Sequence, residues 1–314
     1  MEEELARLSP DKDTLLTIGV FDGVHLGHRY LISRLKELAR QQGLLSGVVT
    51  FSHHPQEVLS PQNRLPFLTD LAQRTNLLKS EGVDAIITLS FTTELAQLSA
   101  RQFLGLLEKY LRMRGVVIGP DFALGRNREG DTETLRRLGQ EMGFSVTVVP
   151  PVIIDGEVVS STSIRNALAQ GDMKRVQNLA GRPFSLHGRV VPGARRGVKL
   201  GFPTANLDID LEQALPADGV YISQARIDNQ AYSSVTNIGK RPTFGSNEHM
   251  VEVYLLSYHS DLYGRELEID IIERLRGEKK FDTTQELKKQ IAQDVEQGRA
   301  ILRTRPSAEG LFER

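Results

Sequence analysis

Two histidines three positions apart follow a short apolar segment near the N-terminus, in the stretch TIGVFDGVHLGHRYLI. The turn between the predicted strand and the predicted helix also holds Gly19, Gly23 and Gly27, which let a backbone approach a ligand closely. His25 and His28 are spaced so that both rings can face the same way and donate hydrogen bonds to phosphate oxygens. Because the free N–H groups at a helix start attract anions, this turn predicts a nucleotide-phosphate site.

Two other interpretations of the turn stay open on the residues alone. The glycines can serve only to shape a strand–helix junction, with structural histidines beside them. Zinc is the second alternative, since His25, His28, His53 and His54 could converge, although the chain has no cysteine and HHP lacks the spacing of a metal site. Neither G-x-x-x-x-G-K-[ST] nor G-x-G-x-x-G is present.

The composition limits the class of protein. A length of 314 residues suggests two domains, on a prior of roughly 100–200 residues each. The net charge of −1 gives no reason to expect a nucleic-acid or membrane partner, and no obligate protein partner is evident. Without cysteine, disulfides and thiolate chemistry are excluded. The polar start MEEELARLSPDKD and the lack of any run of 18 apolar residues predict a cytoplasmic protein.

The first 180 residues alternate short apolar runs with amphipathic helical patterns, which predicts β–α–β units and a parallel sheet covered on both faces. Strands are predicted over 14–21, 46–51, 84–91, 115–122 and 145–150, and helices over 28–43, 70–80, 98–113 and 131–143.

From about Gly181 the pattern changes to successive strands joined by turns, in FSLHGRVV, DGVYISQARI, QAYSSVTNIG, HMVEVYLLSY and RELEIDIIERL. Strands without intervening helices predict an antiparallel sheet or small β-barrel. A long helix is predicted over 283–303. We therefore expect two domains, 1–181 and 182–314.

The motifs, taken in order, resemble those of one family. GVFDGVHLGH resembles the H-x-G-H signature of the nucleotidyltransferase superfamily, and it is followed by VVTFSHHPQEVL, VVIGPDFALGRNREGD, VSSTSIRNALAQGD, LGFPTANL, VTNIGKRPTFG and VEVYLLSYHSDLYGREL. This series is similar to the bifunctional bacterial riboflavin kinase/FAD synthetases over nearly the whole chain. The resemblance implies a Rossmann-like domain that joins AMP from ATP to FMN, giving FAD and pyrophosphate. It also implies a riboflavin kinase-like β-barrel, with a C-terminal helix, that makes FMN from riboflavin with ATP and Mg²⁺.

For the transferase half, the resemblance implies that His25 and His28 polarise the ATP phosphates while Arg165 stabilises the departing pyrophosphate. The residues implied to bind ATP are Gly19, Phe21, Asp22, Gly23, His25, Gly27, His28, Ser161, Thr162 and Arg165, and those implied to bind flavin are His54, Asp121, Phe122 and Arg126. On the residues alone, the S-S-T stretch is equally a helix N-cap, and the arginines of GRNREG are equally solvated side chains.

For the kinase half, Pro203 in LGFPTANL fixes a bend, while Thr204 and Asn206 share one side of an extended segment. Their oxygens suit Mg²⁺, although a simple turn would also use these residues. The resemblance implies an ATP site with Gly201, Pro203, Thr204 and Asn206, and a flavin site with Arg276 and Phe281. It also implies that Glu252 is the catalytic base, whereas an isolated glutamate on a strand more often faces solvent.

Two departures from the family pattern bear on whether both halves are active. His53 stands where the family usually has proline, and Val198 where it commonly has arginine. One half of the chain could therefore be inactive. The alternatives are a nucleotidyltransferase with another acceptor, which would leave GFPTANL and Glu252 unexplained, and a flavin-binding carrier without activity.

Overall fold

The computed structural model of the chain describes residues 2–60, 62, 65–193, 196–228, 230–240, 249–258 and 260–304. The chain divides into two compact units, Met1–Ser163 and Ile164–Arg314. This division falls inside a helix, and the domain boundary at residues 181 and 182 stays a prediction.

The first unit contains a five-stranded parallel sheet in the order β3-β2-β1-β4-β5. Its strands are β1 (Thr14–Ile18), β2 (Leu45–Phe51), β3 (Ala85–Leu89), β4 (Met113–Ile118) and β5 (Ser145–Val148), and a ribbon of β6 (Ile153–Ile154) and β7 (Glu157–Val158) follows. The helices are α1 (Glu2–Arg7), α2 (Leu26–Gln42), α3 (Pro55–Leu59), α4 (Leu71–Ser80), α5 (Thr93–Gln97), α6 (Ala100–Leu111) and α7 (Thr132–Met142), and α8 (Ser161–Gln170) contains the division between the units. The predicted Rossmann-like parallel sheet is confirmed.

Every residue of β1 is buried, because helices cover both faces of this sheet. Leu15 packs with Ile32 and Leu35 of α2, whereas Leu16 on the opposite face packs with Phe103 of α6. Side chains alternate between the faces of a strand, so a strand buried on both faces reads as a continuous apolar run. This is why the apolar run that contains TLLTI predicted a buried strand.

The bounds of the first strand and helix differ from the prediction. β1 ends at Ile18 rather than at residue 21, and α2 begins at Leu26 rather than at residue 28. Phe21 and Val24 have φ values of 54° and 35°, which no strand or right-handed helix can contain. The turn is thus longer than its apolar residues suggest. The short helices α1, α3 and α5 were not predicted.

The second unit contains a closed barrel of antiparallel strands in the order β10-β11-β12-β9-β8-β13. Its strands are β8 (Phe184–Val191), β9 (Ala205–Ile209), β10 (Gly219–Ile227), β11 (Gln230–Lys240), β12 (His249–Leu255) and β13 (Glu266–Arg276). Its helices are α9 (Met173–Ala180), α10 (Arg196–Leu200) and α11 (Thr284–Thr304). The predicted barrel and C-terminal helix are confirmed.

The two faces of β12 have different neighbours. Val251 and Val253 are fully buried and point into the barrel. Tyr254 lies on the outer face, where it packs in a cluster with Val295 of α11. Glu252 shares this outer face, as the alternation of side chains along a strand requires. The outer surface of β12 is therefore where a polar site has room.

Candidate active sites in the two units

The turn after β1 holds the two histidines in contact. His25 is the N-cap of α2, and its Nδ1 accepts a hydrogen bond from the His28 backbone N–H at 3.3 Å. The two rings stack with their centroids 3.7 Å apart, and the Phe21 ring meets His28 edge-on at 5.1 Å. His25 is 5% exposed, whereas His28 is half-buried. The side chains thus face the same way, as their spacing predicts.

Asp22 fixes the turn to the segment before α4. Its buried carboxylate accepts hydrogen bonds from the backbone N–H groups of Leu68 and Thr69 at 3.0 and 3.1 Å. The N–H of Gly23 donates to the Thr69 hydroxyl at 3.0 Å. Gly23 has a φ of 79°, and a Cβ there would lie 2.9 Å from the Leu68 side chain. Only glycine fits this close approach, so the turn is held in one conformation.

The start of α8 lies against the same turn. The Ser161 hydroxyl donates to the Asp22 carbonyl at 2.9 Å, and a Cβ on Gly27 would lie 3.1 Å from the Val159 carbonyl. Ser160 accepts from the Ser163 N–H at 3.1 Å in the manner of an N-cap. Ser160 therefore caps α8, and the Ser161 hydroxyl lies beside the turn. Thr162 is exposed, and Arg165 follows in the part of α8 that belongs to the second unit.

A cavity of about 880 Å³ opens beyond the carboxyl ends of β1, β2 and β4. Its volume lies in the range of small-molecule sites. Aromatic and aliphatic side chains form much of its lining, among them Ile18, Val20, Phe51, Phe91, Leu95, Phe103 and Phe122. The polar lining residues include His54, Asp121, Asn127 and Arg128. Three of the four predicted flavin-binding residues therefore line it, whereas Arg126 does not.

The turn after β2 has its own support although residue 53 is not proline. His54 is the N-cap of α3, and its Nδ1 accepts from the Gln56 N–H at 3.1 Å. Glu57 completes a capping box by accepting from the His54 N–H at 2.8 Å. His53 is exposed and its ring lies 3.0 Å from the Ser52 hydroxyl. The capping box thus holds His54 at the cavity.

Arg74 on α4 is a buried cation that the sequence interpretation missed. It is 1% exposed, and its Nη2 donates to the Phe51 carbonyl at 2.5 Å. Burial lowers the pKa of Arg74, and the nearby carboxylates of Asp22, Asp70 and Glu57 oppose that shift. The signal was present, since Arg74 precedes buried Leu78 by one helical turn and so takes a core position.

In the second unit, three polar residues meet across neighbouring strands. Glu252 on β12 is the register partner of Asn206 on β9 and of Asn237 on β11. Directly opposed residues on antiparallel strands have their side chains side by side. The predicted base and the predicted Mg²⁺ ligand are therefore adjacent on the outer face. The sequence interpretation assigned nothing to Asn237, because strand register was unknown.

Asn206 has the properties of a ligand. It is 7% exposed, and its Oδ1 is buried with no hydrogen-bond partner among the residues that the structure describes. Gly193 packs directly on this amide, where a Cβ would lie 2.7 Å from Oδ1. Thr204 precedes β9, and a Cβ on Gly197 would lie 3.2 Å from its hydroxyl oxygen. Two hard oxygen donors beside a glycine-containing loop fit a hydrated Mg²⁺ ion.

The loop around these residues is partly described. The resemblance also implies that the segment PGARRGVKLG (192–201) is a flap over ATP. Residues 194 and 195 of this segment lie outside the described residues, as does the motif VTNIGKRPTFG from residue 241 onward. Gly201 has a φ of 86° and follows α10, and Pro203 and Val198 are exposed. Residues 196–200 of this segment form the short helix α10.

Arg276 is engaged mainly with α11. Its Nε and Nη2 donate to the buried carboxylate of Asp294 at 3.1 and 2.8 Å. The guanidinium carbon lies 5.9 Å from the centre of the Phe281 ring. Glu278, between them, lies against Gly239 of β11, since a Cβ on that glycine would overlap its carboxylate. This segment therefore reaches the strand that carries Asn237.

The described parts of the chain have neither a cluster of metal-binding side chains nor a membrane-spanning helix. No group of three or more His, Asp or Glu side chains is placed to hold a metal ion there. Within the same residues, no helix has the length and apolar character needed to cross a membrane.

Known proteins resemble both halves. The FAD synthetase family model matches residues 8–163 and the riboflavin kinase family model matches residues 180–302. The bifunctional riboflavin kinase/FMN adenylyltransferase of Pseudomonas fluorescens is 39% identical over 300 residues, covering 95% of this chain and 96% of that protein. The enzyme of the same name from Escherichia coli K12 is 38% identical and covers 91% and 92%.

A solved structure also has the same fold over nearly the full length. It is the crystal structure of a protein named as a macrolide-efflux protein from Streptococcus pneumoniae. Its sequence is 32% identical, the TM-score is 0.87, and the match covers 94% of this chain and 96% of that one.

Proposed function

Because the chain belongs to the family of bifunctional riboflavin kinase/FMN adenylyltransferases, we propose that it carries out two successive reactions. The barrel phosphorylates riboflavin with ATP, giving FMN and ADP. The parallel-sheet unit then transfers AMP from a second ATP to FMN, giving FAD and pyrophosphate. Both reactions consume ATP, which supports a cytoplasmic location. The efflux name of the Streptococcus pneumoniae structure describes that protein, and the two family matches favour flavin synthesis here.

The observation that carries the kinase proposal is the direct pairing of Glu252 with Asn206 across β12 and β9. Glu252 takes the proton of the riboflavin 5′-hydroxyl as that oxygen forms a bond to the γ-phosphorus of ATP, and the bond to ADP breaks. Gly201 and Pro203 lie in the loop that leads into β9, and we assign them to ATP binding. Phe281 offers an aromatic face to the flavin, with Arg276 positioned beside it.

Asn206 and Thr204 are the residues that would hold Mg²⁺. The support is the buried Asn206 Oδ1, which has no partner within the described chain. When bound, Mg²⁺ supplies positive charge that neutralises the ATP phosphates. Glu252 lies between Asn206 and Asn237 in the register of the strands, so the polar groups of this site are held on a rigid sheet.

In the transferase unit, a phosphate oxygen of FMN attacks the α-phosphorus of ATP, and pyrophosphate leaves. Positioning and charge stabilisation dominate such transfers. His25 and His28 donate hydrogen bonds to the ATP phosphates at the start of α2, where Gly19 and Gly27 keep the turn thin. Asp22, Gly23 and Phe21 hold the turn. Ser161, Thr162 and Arg165 of α8 are assigned to the departing pyrophosphate.

The cavity of the first unit is assigned to FMN. Phe122 and the other aromatic residues of its lining suit the flat aromatic flavin ring, while His54 and Asp121 offer polar contacts. Arg126, predicted from the resemblance, lies outside the lining, so its contact with the flavin has less support than the others.

One incubation tests the two reactions together. Purified chain is mixed with Mg²⁺, ATP and riboflavin, and flavins and pyrophosphate are measured over time. We expect FMN to appear before FAD, with pyrophosphate released only as FAD forms. FMN without FAD would refute the transferase assignment, and tight flavin binding without any product would favour a carrier.

Two substitutions separate the halves. His28→Ala should abolish FAD formation and leave FMN formation intact, because His28 lies in the first unit. Glu252→Gln should lose FMN formation while supplied FMN is still converted to FAD. The retained activity shows that the other unit is folded, and urea unfolding of each variant checks the unit that carries the substitution. Normal riboflavin phosphorylation by Glu252→Gln would show that Glu252 is not the base.

A further inference from the structure

The loop after β4 is pinned to the start of α6. Leu124 and Gly130 form an antiparallel bridge, with hydrogen bonds of 3.1 and 2.9 Å between their backbones. Inside the loop, the Arg126 N–H donates to the Leu98 carbonyl at 2.8 Å. Glu129 accepts from the Ala100 N–H at 2.9 Å. These contacts fix the backbone between residues 124 and 130.

The pinned loop contains two consecutive non-glycine residues in the left-handed conformation. Asn127 has a φ of 54° and Arg128 a φ of 58°. Each such residue costs on the order of 1 kcal/mol, and this kind of strain concentrates at functional sites. Because of this backbone path, Arg128 lines the cavity whereas Arg126, two residues earlier, does not.

Arg128 keeps its positive charge available at the mouth of the cavity. Its Nη2 donates to the Asp121 carbonyl at 3.2 Å, which is an uncharged partner. Over the described residues, no carboxylate lies within ion-pair distance of its guanidinium. Arg128 is also the only lysine or arginine among the described residues of the cavity lining. A negatively charged group entering the cavity therefore has one strong cationic partner there.

FMN differs from riboflavin by one phosphate group, and its ring system is flat and aromatic. The cavity has two corresponding parts. Buried aromatic residues such as Phe51 suit the ring system, and exposed polar residues at the mouth suit the phosphate. Asp121, at that mouth, is an acid and cannot attract a phosphate. We propose that Arg128 binds the 5′-phosphate of FMN and makes the transferase unit select FMN over riboflavin. This inference rests on the proposed adenylyltransferase function of the first unit.

Arginine suits this role because its planar guanidinium can make two parallel charge-assisted hydrogen bonds to phosphate oxygens. Such bonds require the guanidinium edge to be presented in one direction. The pinned loop and the Asp121 contact provide that orientation before the substrate arrives. A flexible surface arginine would instead lose side-chain entropy on binding.

The test compares Arg128→Met with Arg126→Met, which remove the same charge from the same loop. The measurements are KM for FMN, KM for ATP and the inhibition constant of riboflavin as a competitor of FMN. The inhibition constant is measured in a Glu252→Gln background, so that riboflavin is not converted to FMN during the assay. Arg128→Met should raise KM for FMN about 10- to 100-fold, the effect of a lost charge-assisted bond, with little change in KM for ATP. Riboflavin inhibition should not change, because riboflavin lacks the phosphate. Arg128→Lys should restore part of the affinity, and Arg126→Met should behave like the natural chain.

Several outcomes would overturn the assignment. Equal effects of the two methionine variants would indicate a general loss of positive charge rather than a site at Arg128. A rise confined to KM for ATP would assign Arg128 to the nucleotide instead. Because the kinase belongs to the other unit, the unchanged KM for ATP of Arg128→Met is the control for folding of the first unit. If the natural chain forms no FAD from FMN, the proposed function itself fails, whereas a normal Arg128→Met variant beside an active natural chain refutes only this inference.

Discussion

Gly193 offers a sharp test of the kinase site, because it lies directly on the amide of Asn206. A Cβ at residue 193 would lie 2.7 Å from Asn206 Oδ1 and closer still to Cγ and Nδ2. Real Cβ atoms essentially never approach a neighbour within 3.0 Å. Gly193 has no left-handed backbone, so alanine is allowed there by its dihedral angles. Gly193→Ala therefore adds one methyl group against the amide of Asn206.

The size of the effect follows from the displacement. Ordinary van der Waals contact begins at 3.4 Å, and Asn206 Nδ2 would lie 2.0 Å from the added Cβ, so the amide must move by about 1.4 Å. A displacement of this size at a positioned group costs on the order of 100-fold in rate. We expect kcat/KM for riboflavin phosphorylation to fall by about that factor, with the loss partly recovered at high Mg²⁺. FMN adenylylation should not change, because it belongs to the other unit.

The assay supplies riboflavin or FMN separately to the same preparation and follows each product. Gly298→Ala is the matched control, since its Cβ would lie 3.4 Å from Val235 and alanine favours the helix α11. That variant should phosphorylate riboflavin normally. Normal kinase activity in Gly193→Ala, with the chain folded, would refute the assignment of Asn206 to the reacting ATP.

Two stability predictions concern buried charge. Burial, and then the nearby Asp270 carboxylate, raise the pKa of Glu268 above 4.5, so its ionised form destabilises the fold as pH rises through the raised value. Glu268→Gln should therefore have a higher free energy of unfolding than the natural chain at neutral pH but not in acid. Urea unfolding of both chains at the two pH values measures this, and an equal gain in stability at both would contradict the prediction. Arg74→Ala should lose about 3 kcal/mol through the missing bond to Phe51 and the cavity left behind. Urea should then abolish adenylylation at a lower concentration while leaving the kinase midpoint in place, and an unchanged adenylylation midpoint would show that the buried charge does not stabilise that unit.

The sequence by itself determined what local patterns control. Continuous apolar runs separated by amphipathic helices predicted the parallel sheet, and alternating strands predicted the barrel, because these periodicities follow from backbone geometry. The shared direction of His25 and His28 was also predictable, because side chains three positions apart at the start of a helix lie on the same side. The family motifs then indicated the chemistry of both halves.

Tertiary structure decided which residues meet across elements. Glu252 and Asn206 are far apart in the chain, and only the closing of the barrel sets the register that places them side by side. A shift by one residue would turn every side chain of a strand to the other face, and no local pattern on β9 fixes that register. The same applies to Asn237, which the sequence interpretation missed.

The arginines of the loop after β4 show most clearly what the sequence cannot predict. Arg126 and Arg128 carry the same charge, two residues apart, and nothing in their sequence neighbourhood separates them. The bridge between Leu124 and Gly130 and the bond to Leu98 force the left-handed backbone that brings only Arg128 to the cavity. Such a conformation is unfavourable locally, so it exists only because distant contacts hold it in place.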